Sequence, residues 1–417
     1  MTPQKNIVVI GGGIIGVSAA YYLSKQGRSV TLIEKGEISA GASAGNAGLI
    51  ANGFAIPIAA PGVPKQGLKM MLDRSSPFYI KPRLNLDLIG WVWKFVRACN
   101  TKQMRASIPV LLALGQGSFD LLDELHETEN VNFGYEKKGR LIAFTSDESF
   151  EVWKKDAALV QEYGVRTDLL DADGVKQVEP NLLSSVKHGI FCDSYAHVDP
   201  DRFTKEMRRL AESHGAEIIT GTAVTGFETT RGEISSVNTS QGTFTAKQVI
   251  LAAGAWSAEL ARKMKLSLPI QPAKGYSLTY KRPPISPNLP LSLAERKTAV
   301  TPMGDILRFT STLELAGFDP TINQRRIETI RRSVREYLTG IDELDEHSEI
   351  EWFGYRPATP DDLPIIGRSE KIENLIFATG HGTLGITHAL ITGKLVSQIT
   401  GSEEPALDLE PLRAERF

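Results

Sequence analysis

The chain is 417 residues long, more than a single hydrophobic core normally supports, so two interleaved globular domains are expected. Hydrophobic residues at 41% against charged residues at 23% exclude a disordered chain, and 47 basic against 49 acidic side chains, with no basic run, argue against a nucleic-acid partner. Cys99 and Cys192 are too few for a disulfide framework and too scattered for a metal site, so both are read as packing residues of a protein in a reducing compartment, and no metal is expected.

Ile7-Val8-Val9-Ile10 is rich in β-branched residues and ends at three glycines, the pattern of a buried parallel strand. Residues 14–26 carry small and apolar side chains at helical spacing, Gly27 closes them, and residues 29–33 form a second strand ending at Glu34. The uncharged run 7–23 has glycines inside it and no cleavage-like site after it, and it falls short of the roughly 20 residues that span a bilayer. Residues 36–52, crowded with Gly, Ala, Ser and Asn, predict a loop and helix start where backbone comes close to a ligand. Residues 57–64, punctuated by prolines, read as an irregular connection or lid. Residues 84–97, with Trp91, Trp93 and Phe95, read as a buried helix in preference to one that touches a membrane.

Helices are expected at 108–125 and 150–163, with a strand at 139–145 between them. An amphipathic helix at 203–214, stopped by Gly215, leads into strands at 217–220, 223–228, 234–239 and 248–252, and His197 is assigned to the start of that helix rather than to chemistry. Strand-like pieces separated by prolines fill 270–318, and a long charged helix follows at 321–338. The end repeats the opening theme with a strand at 375–378, a glycine-rich stretch at 379–385 and a helix at 386–400.

Gly11-Gly12-Gly13-Ile14-Ile15-Gly16 places G-x-G-x-x-G between a strand and a helix, the context that gives the motif meaning. Gly11 permits the tight turn, Gly13 lets backbone reach a pyrophosphate, and Gly16 permits close helix packing. The free N–H groups of the helix start, including those of Ile14 and Ile15, attract the phosphates. Glu34 stands where a carboxylate accepts from both ribose hydroxyls and repels a 2′-phosphate. The motif alone does not separate FAD from NAD. Two further glycine-rich stretches, 41–48 and 379–385, favour the longer FAD, whose ring needs backbone donors beyond the first turn.

These motifs, with Asn46-Ala47-Gly48, residues 57–64, Lys274-Gly275-Tyr276-Ser277, the stretch 355–367 and Thr379-Gly380-His381-Gly382-Thr383-Leu384-Gly385, resemble the D-amino acid oxidase superfamily of flavoproteins, within it most closely the bacterial D-amino acid dehydrogenases of the small-subunit type. The resemblance implies an α/β fold, α+β overall, in which a Rossmann-like FAD-binding domain (1–85, 170–265 and 350–417) interleaves with a substrate domain built on an antiparallel sheet (86–169 and 266–349). It places Glu34, Lys35, Ser43, Asn46, Ala47, Gly48, Leu49, Val224, Ala253, Gly254 and Trp256 along the adenosine, pyrophosphate and ribityl portions. Gly380, Gly382, Thr383, Leu384, Gly385 and Ile386 would lie near the flavin. No cysteine follows Cys192, so the FAD is expected to be noncovalent.

The implied activity is oxidative deamination of a D-amino acid, with electrons passed to a quinone or another carrier, at the inner face of the plasma membrane or in the cytoplasm. Arg356 suits the substrate carboxylate because a planar guanidinium forms a bidentate pair with it, the competing role being an ion pair with Asp361 or Asp362. Tyr276 is expected as a second carboxylate contact, His381 beside the flavin turn as a donor or a packing residue, and Phe54 as an apolar wall of the substrate space. Phe54, Thr310-Ser311 and His388 depart from the family pattern, which leaves open a cyclic or secondary amine such as D-proline, D-hydroxyproline or sarcosine, and also glycine. Oxygen as the acceptor, an NAD-dependent enzyme and a non-catalytic flavin-binding assembly factor are the competing readings.

Overall fold

A computed structural model describes residues 7–71, 78–81, 85–341, 344 and 349–417. Its first sheet has six strands in the order Ile365–Arg368, Leu375–Thr379, Gln248–Leu251, Ile7–Ile10, Val30–Ile33 and Glu217–Ile219. Every neighbouring pair is parallel except the outermost one, Ile365–Arg368 against Leu375–Thr379. Strands from both ends of the sequence therefore lie side by side, which buries Ile7–Ile10 on both faces and accounts for its unbroken apolar run. Helix Ile14–Lys25 packs between Pro200–Ser213 and Ala389–Gly401. A Cβ on Gly393 would come within 2.7 Å of the Ser18 carbonyl, so that helix pair approaches nearly backbone to backbone.

A second, nine-stranded sheet is mostly antiparallel and runs Ile350–Ala358, Gln271–Lys281, Ile306–Leu315, Thr298–Met303, Leu291–Leu293, Arg140–Phe144, His188–Cys192 and Asp168–Leu170, with Phe78–Ile80 paired to Ile306–Leu315. One face packs Tyr276, Leu278, Tyr280, Leu307 and Phe309 against helix Gln324–Arg335. Alternation along the strands puts Gly275, Arg308, Thr310 and Arg356 on the other face. There Arg308 reaches the second glycine-rich stretch, donating from Nη1 to the carbonyl oxygens of Ala44 at 2.9 Å and Asn46 at 3.0 Å.

Several expectations are corrected. Residues 36–52 hold no helix: Asn46 donates to the Ala42 and Ser43 carbonyls and accepts from the Gly48 N–H, so side chain–backbone bonds shape turns that lead into strand Leu49–Ala51. The irregular stretch 57–64 gives way to helix Val63–Met71. The helix expected at 108–125 is one 28-residue element, Thr101–Thr128, which carries an exposed Pro109 inside it. The charged helix is shorter than expected, Gln324–Arg335, and the last long helix begins only at Ala389, after His388. His197 belongs to strand Tyr195–His197, and Asp199 caps the following helix through the N–H groups of Asp201 and Arg202.

The buried-helix reading of 84–97 fails on one face. Residue 84 lies outside the described residues, and the helix Leu86–Ala98 buries only Leu88 and Trp91 fully. Leu86, Ile89, Trp93 and Val96 recur at helical spacing and are 84%, 55%, 56% and 49% exposed, because the sheet edge beneath covers a single stripe of the helix. Among the described residues no helix is long and apolar enough to cross a membrane.

Candidate functional site

A cavity of about 390 Å³ runs along the carboxyl ends of the parallel strands, where open α/β sheets bind ligands. Its lining includes Glu34, Lys35, Val224, Ala253, Gly254 and Trp256, the turn residues Gly11, Gly13, Ile14, Ile15, Gly16, Ser43 and Asn46, and Arg356, His381, Gly382, Thr383, Gly385 and Ile386. The opening turn has no room for side chains. Gly11 has φ +114°, and a Cβ there would lie 2.5 Å from the Ala252 carbonyl oxygen, while a Cβ on Gly16 would lie 1.9 Å from that of Gly11. The Ser43 hydroxyl accepts the Ile14 N–H at 2.9 Å and pins the second glycine-rich stretch to the helix start. Glu34 accepts from the Gly12 N–H at 2.6 Å and the Gly36 N–H at 2.9 Å, which fixes its carboxylate at the cavity wall. Trp256 carries the Lys35 ammonium 3.4 Å over its ring and stacks on Phe318.

Ala47, Gly48, Leu49, Gly380 and Leu384 stand behind this wall. Gly48 packs against the Val198 carbonyl, Leu49 pairs with His197, and Gly380 sits on Thr359. Phe54 lies away from the cavity lining, 5.8 Å from Trp153 between ring centroids, with its N–H donated to the Tyr195 hydroxyl.

Arg356 is a cation of the cavity wall. Its Nη1 donates to the Thr312 carbonyl at 2.9 Å, and among the described residues no carboxylate pairs with it. Desolvation lowers its pKa to about 10, so it stays charged at neutral pH. Neither acid named as a structural partner takes that role: Asp361 is bound by Arg416, and Asp362 accepts the Ile58 N–H. Gly275 lies directly beneath the guanidinium, where a Cβ would come within 2.0 Å of Nη1. The accepting carbonyl belongs to a β-branched residue held at φ +76°, a strained backbone angle. The next residue along the arginine strand, Pro357, accepts the Gly382 N–H at 3.0 Å, which ties that strand to the glycine turn.

Tyr276 is not brought to this site. It points from the opposite face of strand Gln271–Lys281 into the core against helix Gln324–Arg335, and its hydroxyl donates to Glu314 at 2.9 Å. The one-residue difference from Gly275 decides the face. His381 does line the cavity. It is 3% exposed, its Nε2 pairs with the Thr392 hydroxyl at 3.0 Å, and burial together with the nearby His388 lowers its pKa to about 3. His388, 1% exposed, is lowered to about 3 by burial alone, so both imidazoles are neutral at ordinary pH. Arg308 was not singled out from the sequence, although a lone arginine inside an apolar strand was a readable signal.

Residues 6–399 match the family model for FAD dependent oxidoreductases, abbreviated DAO. The chain belongs to this family. It is 32% identical over 418 residues to D-amino acid dehydrogenase 1 of Mesorhizobium japonicum, covering 99% of each chain. It is 34% identical over 416 residues to D-amino acid dehydrogenase of Vibrio vulnificus, covering 96% of this chain and 98% of the relative. Glycine oxidase from Geobacillus kaustophilus superposes with a TM-score of 0.81 at 22% identity, covering 99% of each chain, which shows the shared fold. FAD is therefore the cofactor of this DAO-family oxidoreductase, and the glycine turn, bare of Cβ atoms and set against a helix start, fits the cofactor's pyrophosphate.

Gly16→Ala should yield protein that purifies without flavin, because the new methyl group forces the helix off the Gly11 carbonyl; absorbance near 450 nm (on the order of the oxidised flavin band) checks this, and a fully yellow variant would refute it. The two neutral histidines also set a pH dependence. Their folded pKa values lie below the unfolded value, so the unfolded chain binds more protons and stability falls as pH drops from about 6.5 toward 3. At pH 5 each ring should cost on the order of 1–2 kcal/mol relative to pH 7, and urea unfolding of His388→Gln at the two pH values should show a smaller difference than the parent protein.

Proposed function

We propose that the chain is an FAD-dependent dehydrogenase of D-amino acids, yielding an imino acid that water converts to a 2-oxo acid and ammonia. The observation that carries this reading is Arg356, a charged guanidinium on the cavity wall with a carbonyl but, among the described residues, no carboxylate for a partner, joined through Pro357 to the glycine turn at Gly382. Its remaining N–H groups are a bidentate match for an amino acid's α-carboxylate. Two full-length relatives bear the name D-amino acid dehydrogenase, which supports the substrate class.

Bound FAD would supply the hydride acceptor, N5 of its ring, for the hydrogen on the substrate's Cα. Gly11, Gly13, Ile14, Ile15, Gly16 and Ser43 would hold the pyrophosphate, and Glu34, Lys35, Val224, Ala253, Gly254 and Trp256 the adenosine end. Gly382, Thr383, Gly385 and Ile386 would border the ring. Neutral His381 adds no charge there and is oriented by Thr392. Arg356 would fix the carboxylate and so the direction of the Cα–H bond, which leaves little acid–base work for the protein. The six-stranded sheet and its helices would form the cofactor domain, interleaved with the nine-stranded sheet as substrate domain. Thr310 shares the face of Arg356 on the strand whose Thr312 carbonyl supports it, and its departure from the family pattern keeps a secondary amine such as D-proline within the candidate substrates.

The exposed stripe of helix Leu86–Ala98 supports attachment to an anionic bilayer, from which a quinone would collect the electrons. Arg97 lies 4.6 Å over the Trp93 ring, and on helix Val63–Met71 the exposed Leu68 is flanked by Lys65 and Lys69, so apolar and basic groups are paired as at a membrane interface. Sedimentation with phosphatidylglycerol vesicles should lose roughly tenfold or more in affinity for Trp93→Asp; equal binding of parent and variant would remove this helix from the contact.

Anaerobic titration with a panel of D- and L-amino acids and cyclic imino acids tests the activity, since only a substrate bleaches the flavin. Arg356→Ala should raise KM on the order of 10²-fold, the loss of a charge-assisted pair, while retaining FAD. An unchanged KM would remove Arg356 from its assigned role.

A further inference from the structure

Residues 44–46 are gripped by two side chains that stand on one face of the nine-stranded sheet. Arg308 and Trp352 lie on the strands either side of Gln271–Lys281, opposite Thr279 and Ser277, so alternation sends both toward the second glycine-rich stretch. Arg308 Nη1 donates to the carbonyls of Ala44 at 2.9 Å and Asn46 at 3.0 Å, and its Nε donates to the Thr279 hydroxyl at 2.9 Å. Between the two carbonyls the Trp352 ring fills the place of a side chain: a Cβ on Gly45 would lie 2.1 Å from Trp352 Cδ2. One guanidinium therefore sets two peptide planes, and the ring sets the depth of the residue between them.

On its other side the same stretch faces the cavity, whose lining includes Ala42, Ser43 and Asn46. Asn46 ties the stretch into one unit, since its Nδ2 donates to the Ala42 and Ser43 carbonyls and its Oδ1 accepts from the Gly48 N–H. A shift at 44–46 thus carries Ser43 with it. The Ser43 hydroxyl accepts the Ile14 N–H at 2.9 Å, which leaves its own proton for an acceptor in the cavity. Arg308 is 8% exposed and burial lowers its pKa, while the acids that act on it, Asp199 and Asp201, make no ion pair with it. An apolar side chain would join two sheets at lower cost than a buried cation does. What the guanidinium adds is fixed placement of two carbonyls.

We propose that Arg308 is a positioning residue for the cofactor, which holds residues 44–46 so that Ser43 meets both the helix start and the FAD pyrophosphate. The assignment rests on the placing of Ser43 at that pyrophosphate. Arg308 acts through the backbone of Ala44 and Asn46 and touches no part of the cofactor itself. With the guanidinium in place, the hydroxyl is in position before FAD arrives. Without it, the competent arrangement of 42–48 becomes a fraction of the population, and apparent affinity for FAD falls by that fraction.

The test compares FAD release from the parent holoenzyme, followed by flavin fluorescence after dilution, with release from Arg308→Met, Arg308→Lys, Gly45→Ala and Tyr276→Phe. Methionine keeps the apolar stem and removes every donor, lysine keeps an ammonium for the two carbonyls, and alanine at 45 drives the stretch off the Trp352 ring while leaving Arg308 intact. Tyr276→Phe removes a buried hydrogen bond from the opposite face of the same sheet and so reads general loosening. Arg308→Met should speed release on the order of 10- to 100-fold, the loss of bonds to a charged group. Gly45→Ala should act in the same direction, and both should speed amide exchange across 42–48. Arg308→Lys should recover part of each effect, and Tyr276→Phe should match the parent. Added to Ser43→Ala, Arg308→Met should change release little, because both variants remove the same contact. Unchanged release in Arg308→Met and Gly45→Ala, equal acceleration by Tyr276→Phe, or multiplied effects in the double variant would overturn the assignment. A Ser43→Ala enzyme that releases FAD at the parent's rate would sink the placing of Ser43 instead, and amide exchange in Arg308→Met would still decide whether Arg308 holds the stretch.

Discussion

One close approach governs the cofactor site: the helix that begins at Ile14 must sit so near the strand before it that Gly16 rests on the carbonyl oxygen of Gly11. That proximity leaves the first amides of the helix unobstructed at the carboxyl end of the central strand, and it turns a packing requirement into an anion site. Everything else along the cavity is placed relative to it. Ser43 reaches the Ile14 amide and brings the second glycine-rich stretch alongside, and Arg308 grips the carbonyls of Ala44 and Asn46 to bring the second sheet. The two sheets are joined at this point by a forked guanidinium rather than by apolar area alone.

The treatment of charge differs sharply between neighbours. Arg308 spends its donors on backbone and on the Thr279 hydroxyl, and the Arg416–Asp361 pair satisfies itself. Arg356 is left with a single carbonyl and a desolvation penalty that depresses its pKa. A half-satisfied cation in a cavity is a stability cost that an incoming anion would relieve, whereas the guanidiniums of Arg308 and Arg416 are satisfied within the fold. The histidines complete the contrast, since burial keeps both uncharged while the guanidinium stays charged.

The opening βαβ unit, the strands 217–252 and the closing strand were legible because pattern and punctuation agree there: β-branched runs end at glycines, and small residues recur at helical spacing. Arg356 was legible as well, from its residue type within a recognised stretch. Tyr276 was not, because a motif gives neighbours in sequence without the face each presents, and one step along a strand separates a cavity residue from a core residue. The helix at 84–97 was misjudged for a related reason. Its aromatic content shows that something covers it, but only the position of the sheet edge shows that the cover spans one stripe. The turns of 36–52 eluded a helix reading because Asn46 supplies bonds that the backbone would otherwise make with itself.

The strand Leu375–Thr379 lies inside the parallel sheet, between Gln248–Leu251 and Ile365–Arg368, although it comes from the end of the chain. A ribosome must therefore make more than a hundred further residues after Gln248–Leu251 before the central layer can close, and until then that strand presents a bare hydrogen-bonding edge. Long-range pairings of this kind slow folding and expose apolar strands to other chains. Synthesis in a cell should consequently favour chaperone capture of the chain before Leu375–Thr379 emerges, and fragments that stop short of that strand should collect in inclusion bodies rather than as soluble half-proteins.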